Sequence, residues 1–161
     1  MEIRLAQRED LSQIERIYRE AKSYMDRTGN PSQWEVGYPP REMILEDIEA
    51  RRLFAVTEDG ALHAAFYFAV EEDPTYMRIF DGAWKNDAPY GVIHRVGSDG
   101  KLRGVMRSIV AYCASVIPNL RIDTHEDNAT MQHVLSKLGF CRCGTVLLEN
   151  GDPRIAFHFV Q

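Results

Sequence analysis

The stretch that decides the fold is Tyr90–Val116, which reads YGVIHRVGSDGKLRGVMRSIVAYCASV. Its beginning, Tyr90–Val96, predicts a buried strand, and Gly97-Ser98-Asp99-Gly100 is typical of a turn. Beyond the turn, apolar residues recur at spacings of three and four, which predicts a long helix. These apolar positions are Leu102, Val105, Met106, Ile109, Val110, Cys113 and Val116. The stretch therefore predicts a strand, a turn and a helix in immediate succession.

The same patterns extend to both sides of this stretch. Strand-like segments are Glu2–Ala6, Leu53–Thr57, Ala61–Val70, Leu120–Asp123, Phe140–Leu148 and Arg154–Val160. Helical spacing appears between Asp10 and Met25, from about Arg41 to Ile48, and over Asn128–Leu138. The order β-α-α-β-β-β-α-β-α-β-β predicts one α/β domain over residues 1–161, with a central mixed sheet that is mostly antiparallel.

Composition excludes several classes of protein. The chain has 161 residues, 45% of them apolar, which suffices for one core without staples. A net charge of −5 argues against a nucleic-acid partner. No apolar run suits a membrane helix or a signal peptide, so we expect a cytoplasmic protein with no membrane partner. Cys113, Cys141 and Cys143 offer neither a closed disulfide framework nor a zinc ligand set.

The segment Lys101-Leu102-Arg103-Gly104-Val105-Met106 opens the long predicted helix and is suited to hold an anion. The first backbone N–H groups of a helix have no intrahelical acceptor, and the macrodipole adds positive charge there. A phosphate collects several of these donors at once. Gly104 has no side chain to block its approach, and Lys101 and Arg103 add positive charge. We therefore predict a phosphate site at this helix start.

A second informative segment, Asn128–Phe140, reads NATMQHVLSKLGF. Asn128 is typical of a helix N-cap, and Gly139 is typical of the residue that follows a helix. The apolar stripe between them consists of Met131, Val134, Leu135 and Leu138. The segment therefore predicts a short helix with defined ends.

Together the two segments resemble motifs of the general-control-related N-acetyltransferase (GNAT) superfamily. Lys101–Met106 is similar to the pyrophosphate motif Arg/Gln-x-x-Gly-x-Gly/Ala, and Asn128–Phe140 is similar to Asn-x-x-Ala-x-x-Leu-Tyr-x-x-x-Gly-Phe. The resemblance covers the whole length and the order of elements. Lys101 replaces Arg or Gln, Met106 replaces a small residue, and Leu135 replaces a tyrosine whose hydroxyl is thought to protonate the leaving thiolate.

The resemblance implies a GNAT-like fold with helices on both faces of the sheet and acetyl-CoA as the acyl donor, without a metal. Two adjacent strands splay apart in this family, and the pantetheine arm lies in the wedge beside the strand near Val96. The implied cofactor-binding residues are Val96, Lys101, Leu102, Arg103, Gly104, Val105, Met106 and Asn128. The implied reaction is direct acetyl transfer to a primary amine of a small molecule or peptide, by a monomer or homodimer.

Amine acetylation calls for a proton acceptor. A lysine-type amine has a pKa near 10.4, so its deprotonation at neutral pH costs about 4 kcal/mol. His94 lies two residues before Val96 and shares its face, and imidazole titrates near neutral pH. His125 precedes the Asn128 helix. We predict His94 and His125 as catalytic candidates; the alternatives, a histidine hydrogen-bonded within the sheet and one in a solvated loop, stay open.

Two functions are compatible with these features. The first is the N-acetyltransferase, in which a backbone N–H near Val96 stabilises the thioester oxygen and the loops at residues 29–40 and 71–89 select the acceptor. The second is an acyl-CoA-binding sensor or regulatory domain with weak or no activity, because Met106 and Leu135 both depart from the family pattern.

Overall fold

Alternating apolar residues build one central sheet in the computed structural model, which describes residues 1–161. Its strands are β1 (Glu2–Leu5), β2 (Leu53–Glu58), β3 (Ala61–Val70), β4 (Gly91–Ser98), β5 (Asn119–Thr124), β6 (Cys141–Leu147) and β7 (Pro153–Val160). Their order in the sheet is β1-β2-β3-β4-β5-β7-β6. All neighbours are antiparallel except β4 and β5. The predicted mixed, mostly antiparallel sheet is therefore confirmed.

Four helices complete the fold, and their order along the chain is the predicted one. They are α1 (Leu11–Arg27), α2 (Arg41–Glu49), α3 (Val105–Val116) and α4 (Ala129–Lys137). Short 3-10 turns occur at Arg8–Asp10 and Pro74–Met77. None of the helices combines the length and the apolar character needed to cross a bilayer.

Each face of the sheet carries its own core, because successive strand residues point to opposite faces. Along β2, Leu53 and Ala55 pack with the buried stripes of α1 and α2. Phe54 and Val56 belong to the other core, which contains the buried residues of α3 together with Leu135 of α4. Helices thus cover both faces of the sheet, as the resemblance implied.

Helix α3 begins at Val105, whereas the apolar spacing predicted a start near Leu102. Gly104, the residue before the helix, has φ 74°, in the left-handed region that favours glycine. A right-handed helix cannot include a residue with this φ, so α3 begins after it. Leu102 nevertheless packs against the core beneath α3. Its apolar character therefore reflects burial of a loop residue rather than membership of the helix, which is why the spacing alone misplaced the start.

Strands β4 and β5 pair for only a short distance and then separate. Their register contains two residue pairs, Gly91 with Leu120 and Val92 with Arg121. Farther along β4, a bulge at Arg95, which has φ 48°, inserts an extra residue opposite β3. Bulges bend a strand and are frequent beside active sites. The edge of β4 from Ile93 onward consequently has no strand partner on the β5 side, which opens a wedge in the sheet.

Candidate active site

A cleft of about 1000 Å³ lies between α1, the end of β4 and the starts of α3 and α4, and is called here the larger cleft. The predicted cofactor-binding residues that line it are Val96, Val105, Met106 and Asn128. Helix α1 contributes Arg16, Arg19 and Arg27. Arg16 pairs with Glu20, whereas Arg19 and Arg27 are exposed and form no ion pair. This positive wall was not predicted, because it depends on α1 packing beside β4.

The loop that enters α3 presents an uninterrupted run of free backbone donors. The first helical hydrogen bond runs from the Ser108 N–H to the Gly104 carbonyl at 3.0 Å, and the N–H groups of residues 102–107 donate to no protein acceptor. The Asp99 carboxylate accepts the Lys101 N–H at 3.0 Å and so fixes the loop before them. Such a run of donors at a helix start is suited to a pyrophosphate.

The other predicted phosphate residues take different positions around this run. Lys101 and Arg103 are exposed on the entry loop and do not line the larger cleft itself. No atom lies within 4 Å of the place where a Cβ of Gly104 would be, so the glycine leaves open space in front of the donors. Met106 both lines the cleft and packs against the core.

A second cavity, of about 390 Å³ and called here the smaller pocket, lies beside the wedge. Strands β4, β5 and β7 and both predicted acceptor loops line it. The loop at residues 29–40 contributes Trp34 and Tyr38, and the loop at 71–89 contributes Asp73 and Thr75. Val96 and Asn128 line both cavities. The two cavities therefore meet beside Val96, at the point where β4 and β5 have separated.

His94 lies in the smaller pocket between two carboxylates. Its Nε2 is 2.6 Å from Asp73 Oδ2, and its Nδ1 is 3.9 Å from Asp123 Oδ2. Asp123 Oδ2 accepts a hydrogen bond from the buried Tyr76 hydroxyl at 2.6 Å. Burial by itself raises the pKa of Asp73, but the hydrogen bond and charge of His94, with the Thr75 N–H, lower it below its ordinary value. Asp73 is therefore an anion at neutral pH.

This arrangement leaves one imidazole nitrogen available. Since an ionised carboxylate can only accept, the Nε2–H group donates to Asp73, and Nδ1 has no hydrogen-bond partner in the protein. The distance of 3.9 Å from Nδ1 to Asp123 is too long for a hydrogen bond. An imidazole that is oriented by one carboxylate and free at its other nitrogen is suited to accept a proton. Asp73 and Asp123 were missed by the sequence reasoning.

The structure does not bring His125 into either cavity. Its Nδ1 accepts the Asp127 N–H at 3.0 Å, so the ring closes the turn before α4. Its side chain is only 15% exposed, so the ring is largely enclosed by this turn. Asn128, by contrast, is the predicted N-cap: its side chain accepts the Met131 N–H at 3.0 Å. Its amide also donates to Gln33 Oε1 at 2.8 Å, which joins α4 to the loop at 29–40.

Leu135 has no exposed surface and belongs to the core beneath α3 and α4. It lines neither cavity. Leucine has no hydroxyl to offer the thiolate, and this side chain packs in the core instead. Gly139 follows α4 with φ 97°, as its sequence position predicted. The hydroxyl groups of the larger cleft include those of Tyr24 and Thr130, whose oxygens are 3.2 Å apart.

The remaining sulfur and acidic side chains form no metal centre. All three cysteines are free thiols; Cys113 is buried and Cys141 is exposed. No group of three or more His, Cys, Asp or Glu side chains is placed to hold a metal ion.

Solved structures with the same fold include three that are informative here. An acetyltransferase of the GNAT family from Streptococcus agalactiae 2603 is 33% identical, with a TM-score of 0.89 over 99% of this chain and 95% of that one. A ribosomal-protein-alanine N-acetyltransferase from Brucella melitensis is 17% identical, with a TM-score of 0.65 over 100% of both chains. A GNAT-like decarboxylase, GphF, in complex with isobutyryl-CoA is 13% identical, with a TM-score of 0.66 over 99% of both chains.

The second and third of these share the fold alone, since their identities are low. No family model and no curated protein sequence matches the chain.

Proposed function

The chain belongs to the GNAT family of acetyltransferases, and from this premise we propose that it transfers the acetyl group of acetyl-CoA to the primary amine of a small molecule or peptide. Acyl-CoA-dependent acyl transfer is the general activity that this membership carries. The observation that supports the finer proposal best is the meeting of two cavities beside Val96. A donor in one cavity and an acceptor in the other would bring their reacting groups together there.

In this proposal the larger cleft holds acetyl-CoA. The free N–H groups of residues 102–107 bind the pyrophosphate, and Arg19 and Arg27 contribute positive charge from α1. The pantetheine arm follows the unpaired edge of β4, where backbone groups lack a strand partner. The thioester then lies beside Val96, whose N–H is the proposed donor to the carbonyl oxygen as that oxygen becomes negative.

The acceptor occupies the smaller pocket, and His94 is the proposed general base. The imidazole Nδ1 takes a proton from the amine, and the nitrogen lone pair attacks the thioester carbon. The C–S bond breaks, an amide forms, and CoA leaves as a thiolate. Asp73 holds the imidazole through Nε2 and stabilises it when it becomes protonated. Donor and acceptor would bind in adjoining cavities and react directly, so no covalent enzyme intermediate is required.

Residue 135 cannot protonate the leaving thiolate, because leucine has no acidic group. A thiol has a pKa of about 8.5, so a thiolate is a tolerable leaving group even where no acid is placed beside it. Leucine at position 135 also favours the second candidate function, an acyl-CoA-binding sensor, because the family's usual acid is absent there.

A thiol-release assay separates the two functions. Purified protein is incubated with acetyl-CoA and a panel of amines, and the free thiol is measured over the rate without an amine. The enzyme is expected to release thiol in an amine-dependent way. A rise in melting temperature with acetyl-CoA but no release with any amine would favour the sensor. The absence of both responses would contradict both functions.

A further inference from the structure

Arg154 is the one cation of the smaller pocket without an anionic partner in the protein. Only 6% of its surface is exposed. The other cations are neutralised: Arg95 pairs with Asp47 at 2.7 Å, and His94 contacts Asp73. No carboxylate lies within ion-pairing distance of the Arg154 guanidinium, although its side chain lines the pocket. A buried charge without a partner is unfavourable, so this position calls for an anion.

The hydrogen bonds of Arg154 hold the side chain in place but leave donors free. Its two terminal nitrogens donate to the carbonyl oxygens of Pro153 at 2.9 Å and Gln33 at 3.1 Å. A guanidinium has five N–H donors in a planar fork, so three remain, including the one on Nε. Both acceptors are neutral carbonyls and do not compensate the charge. The side chain is thus fixed and still able to bind a ligand.

A second buried arginine, Arg121, has its charge stabilised by neighbouring groups. Arg121 is 4% exposed and also lacks a carboxylate partner. Its guanidinium lies between the rings of Trp84 and Tyr90, at 4.2 Å and 4.0 Å from their centroids, and it donates to the Asn86 carbonyl. It lines neither cavity. Aromatic faces stabilise that cation, whereas no ring covers Arg154.

We propose that Arg154 binds a carboxylate group of the acceptor, which makes the acceptor a small amine that carries a carboxylate, with a free amino acid as the simplest case. This inference rests on the proposed function. The guanidinium fork matches a carboxylate through two parallel hydrogen bonds. A pocket of about 390 Å³ is also at the small end of the range for small-molecule sites.

The sheet register places this anchor and the proton acceptor on the same face. Asp123 of β5 pairs with Ala156 of β7, and side chains alternate along a strand, so Arg154 points to the Asp123 face. Asp123 in turn lies beside His94. Glu35 and Asp152 line the same pocket but are exposed. They suit the incoming ammonium group rather than the carboxylate.

The test compares each L-amino acid with its own carboxamide in the thiol-release assay, so that only the carboxylate changes. We expect kcat/KM to be about tenfold or more higher for the free acids, since hydrogen bonds to charged groups are strong. The amine of a carboxamide is less basic, so more of it is deprotonated and reactive at neutral pH. This difference favours the carboxamides and works against the expected result. In Arg154→Gln the ratio is expected to fall to about one, through a higher KM for the acids. Arg154→Lys, which keeps the charge but loses the fork, is expected to give an intermediate ratio.

Arg121→Gln is the matched control, because it removes the other buried arginine without a carboxylate partner. It is expected to lower the melting temperature and to leave the acid-to-amide ratio unchanged. If Arg154→Gln does not fold, a reduced ratio in Arg154→Lys supports the proposal. Equal rates for acids and carboxamides in the wild type, or an unchanged ratio in the Arg154 variants, would overturn it.

A binding measurement tests the carboxylate site even if the proposed function fails. If no amine is acetylated, calorimetry measures the binding of the same acids and carboxamides to the complex of the protein with CoA. Acid-selective binding that is lost in Arg154→Gln supports the carboxylate site without transfer, whereas binding without selectivity, or no binding, overturns it.

Discussion

The two cavities that meet at Val96 are built by different means. The larger cleft offers main-chain N–H groups from one continuous segment, residues 102–107, at a helix start. The smaller pocket offers side chains from separate parts of the chain: Asp73 from a loop, His94 from β4, Asp123 from β5 and Arg154 from β7. The run of donors is a property of a short sequence, whereas the smaller pocket exists only when four distant segments pack together.

A site built from main-chain N–H groups tolerates sequence change better than a site built from side chains. Any residue type provides a backbone N–H except proline, so the larger cleft depends mainly on the conformation at Gly104. The smaller pocket depends on the identity of each side chain, since a carboxylate or imidazole has no main-chain substitute. We therefore expect single substitutions to remove catalysis from the smaller pocket while leaving acetyl-CoA binding in the larger cleft intact.

The largest expected effect is that of His94→Gln. Glutamine keeps a hydrogen-bonding group near Asp73 but cannot accept a proton at neutral pH, so kcat is expected to fall about 10²-fold or more. The Kd for acetyl-CoA, measured by calorimetry, is expected to stay unchanged because His94 does not line the larger cleft. His125→Gln is the control for the same chemical change outside both cavities. A kcat near that of the wild type in His94→Gln would show that the base lies elsewhere.

For Gly104→Glu we expect the opposite result, a loss of acetyl-CoA affinity caused by a change in the larger cleft. The added side chain enters the space in front of the N–H run and repels phosphate, so acetyl-CoA affinity is expected to fall about tenfold or more. Gly60→Glu is the matched control, because Gly60 has φ 77° beside φ 74° at Gly104, and neither has an atom within 4 Å of its added Cβ.

Both glycine variants are expected to lose roughly 1–2 kcal/mol of stability through the same backbone strain. Only Gly104→Glu is expected to lose affinity, as measured by calorimetry. Unchanged affinity there would place the pyrophosphate away from α3.

A smaller effect is expected from Leu135→Tyr. Leu135 is fully buried, so the larger ring overpacks the core and is expected to cost about 1–3 kcal/mol in urea unfolding. Val134→Tyr, at the neighbouring residue that lines the larger cleft, is expected to destabilise less because its side chain has room to extend. If Leu135→Tyr kept wild-type stability and raised turnover, residue 135 would face the thioester after all.

The smallest expected effect is a pH dependence of stability that involves Asp73. Its folded-state pKa is below the ordinary value of 3.8, so the folded protein binds fewer protons than the unfolded chain in acid. The stabilisation from this carboxylate is present above about pH 4 and is lost as the pH falls through the folded-state pKa. Urea unfolding of Asp73→Asn, followed from neutral into acidic pH, is expected to show a shallower loss of stability than the wild type. Parallel curves would contradict the assignment.

The sequence by itself determined the order of elements, the mixed sheet and the run of free donors within Lys101–Met106, although it placed the start of α3 near Leu102 instead of at Val105. Each of these depends on local rules: side-chain periodicity, turn residues and the donors that every helix start leaves free. Asn128 was predicted as an N-cap for the same reason, since its acceptor interaction spans only three residues. His94 was selected because it lies two positions before Val96 on one strand, although the bulge at Arg95 interrupts the alternation on which that selection depended.

Only the tertiary structure decided which side chains share the smaller pocket. Asp73 meets His94 across 21 residues of chain, and Gln33 accepts from Arg154 across 121 residues; no local pattern encodes such pairs. The burial of Leu135 likewise followed from the packing of α4 on the sheet, because helical spacing identifies a stripe but not which of its members reaches a cleft. The placement of His125 outside both cavities was also decided by the tertiary structure, because the turn before α4 sets its position.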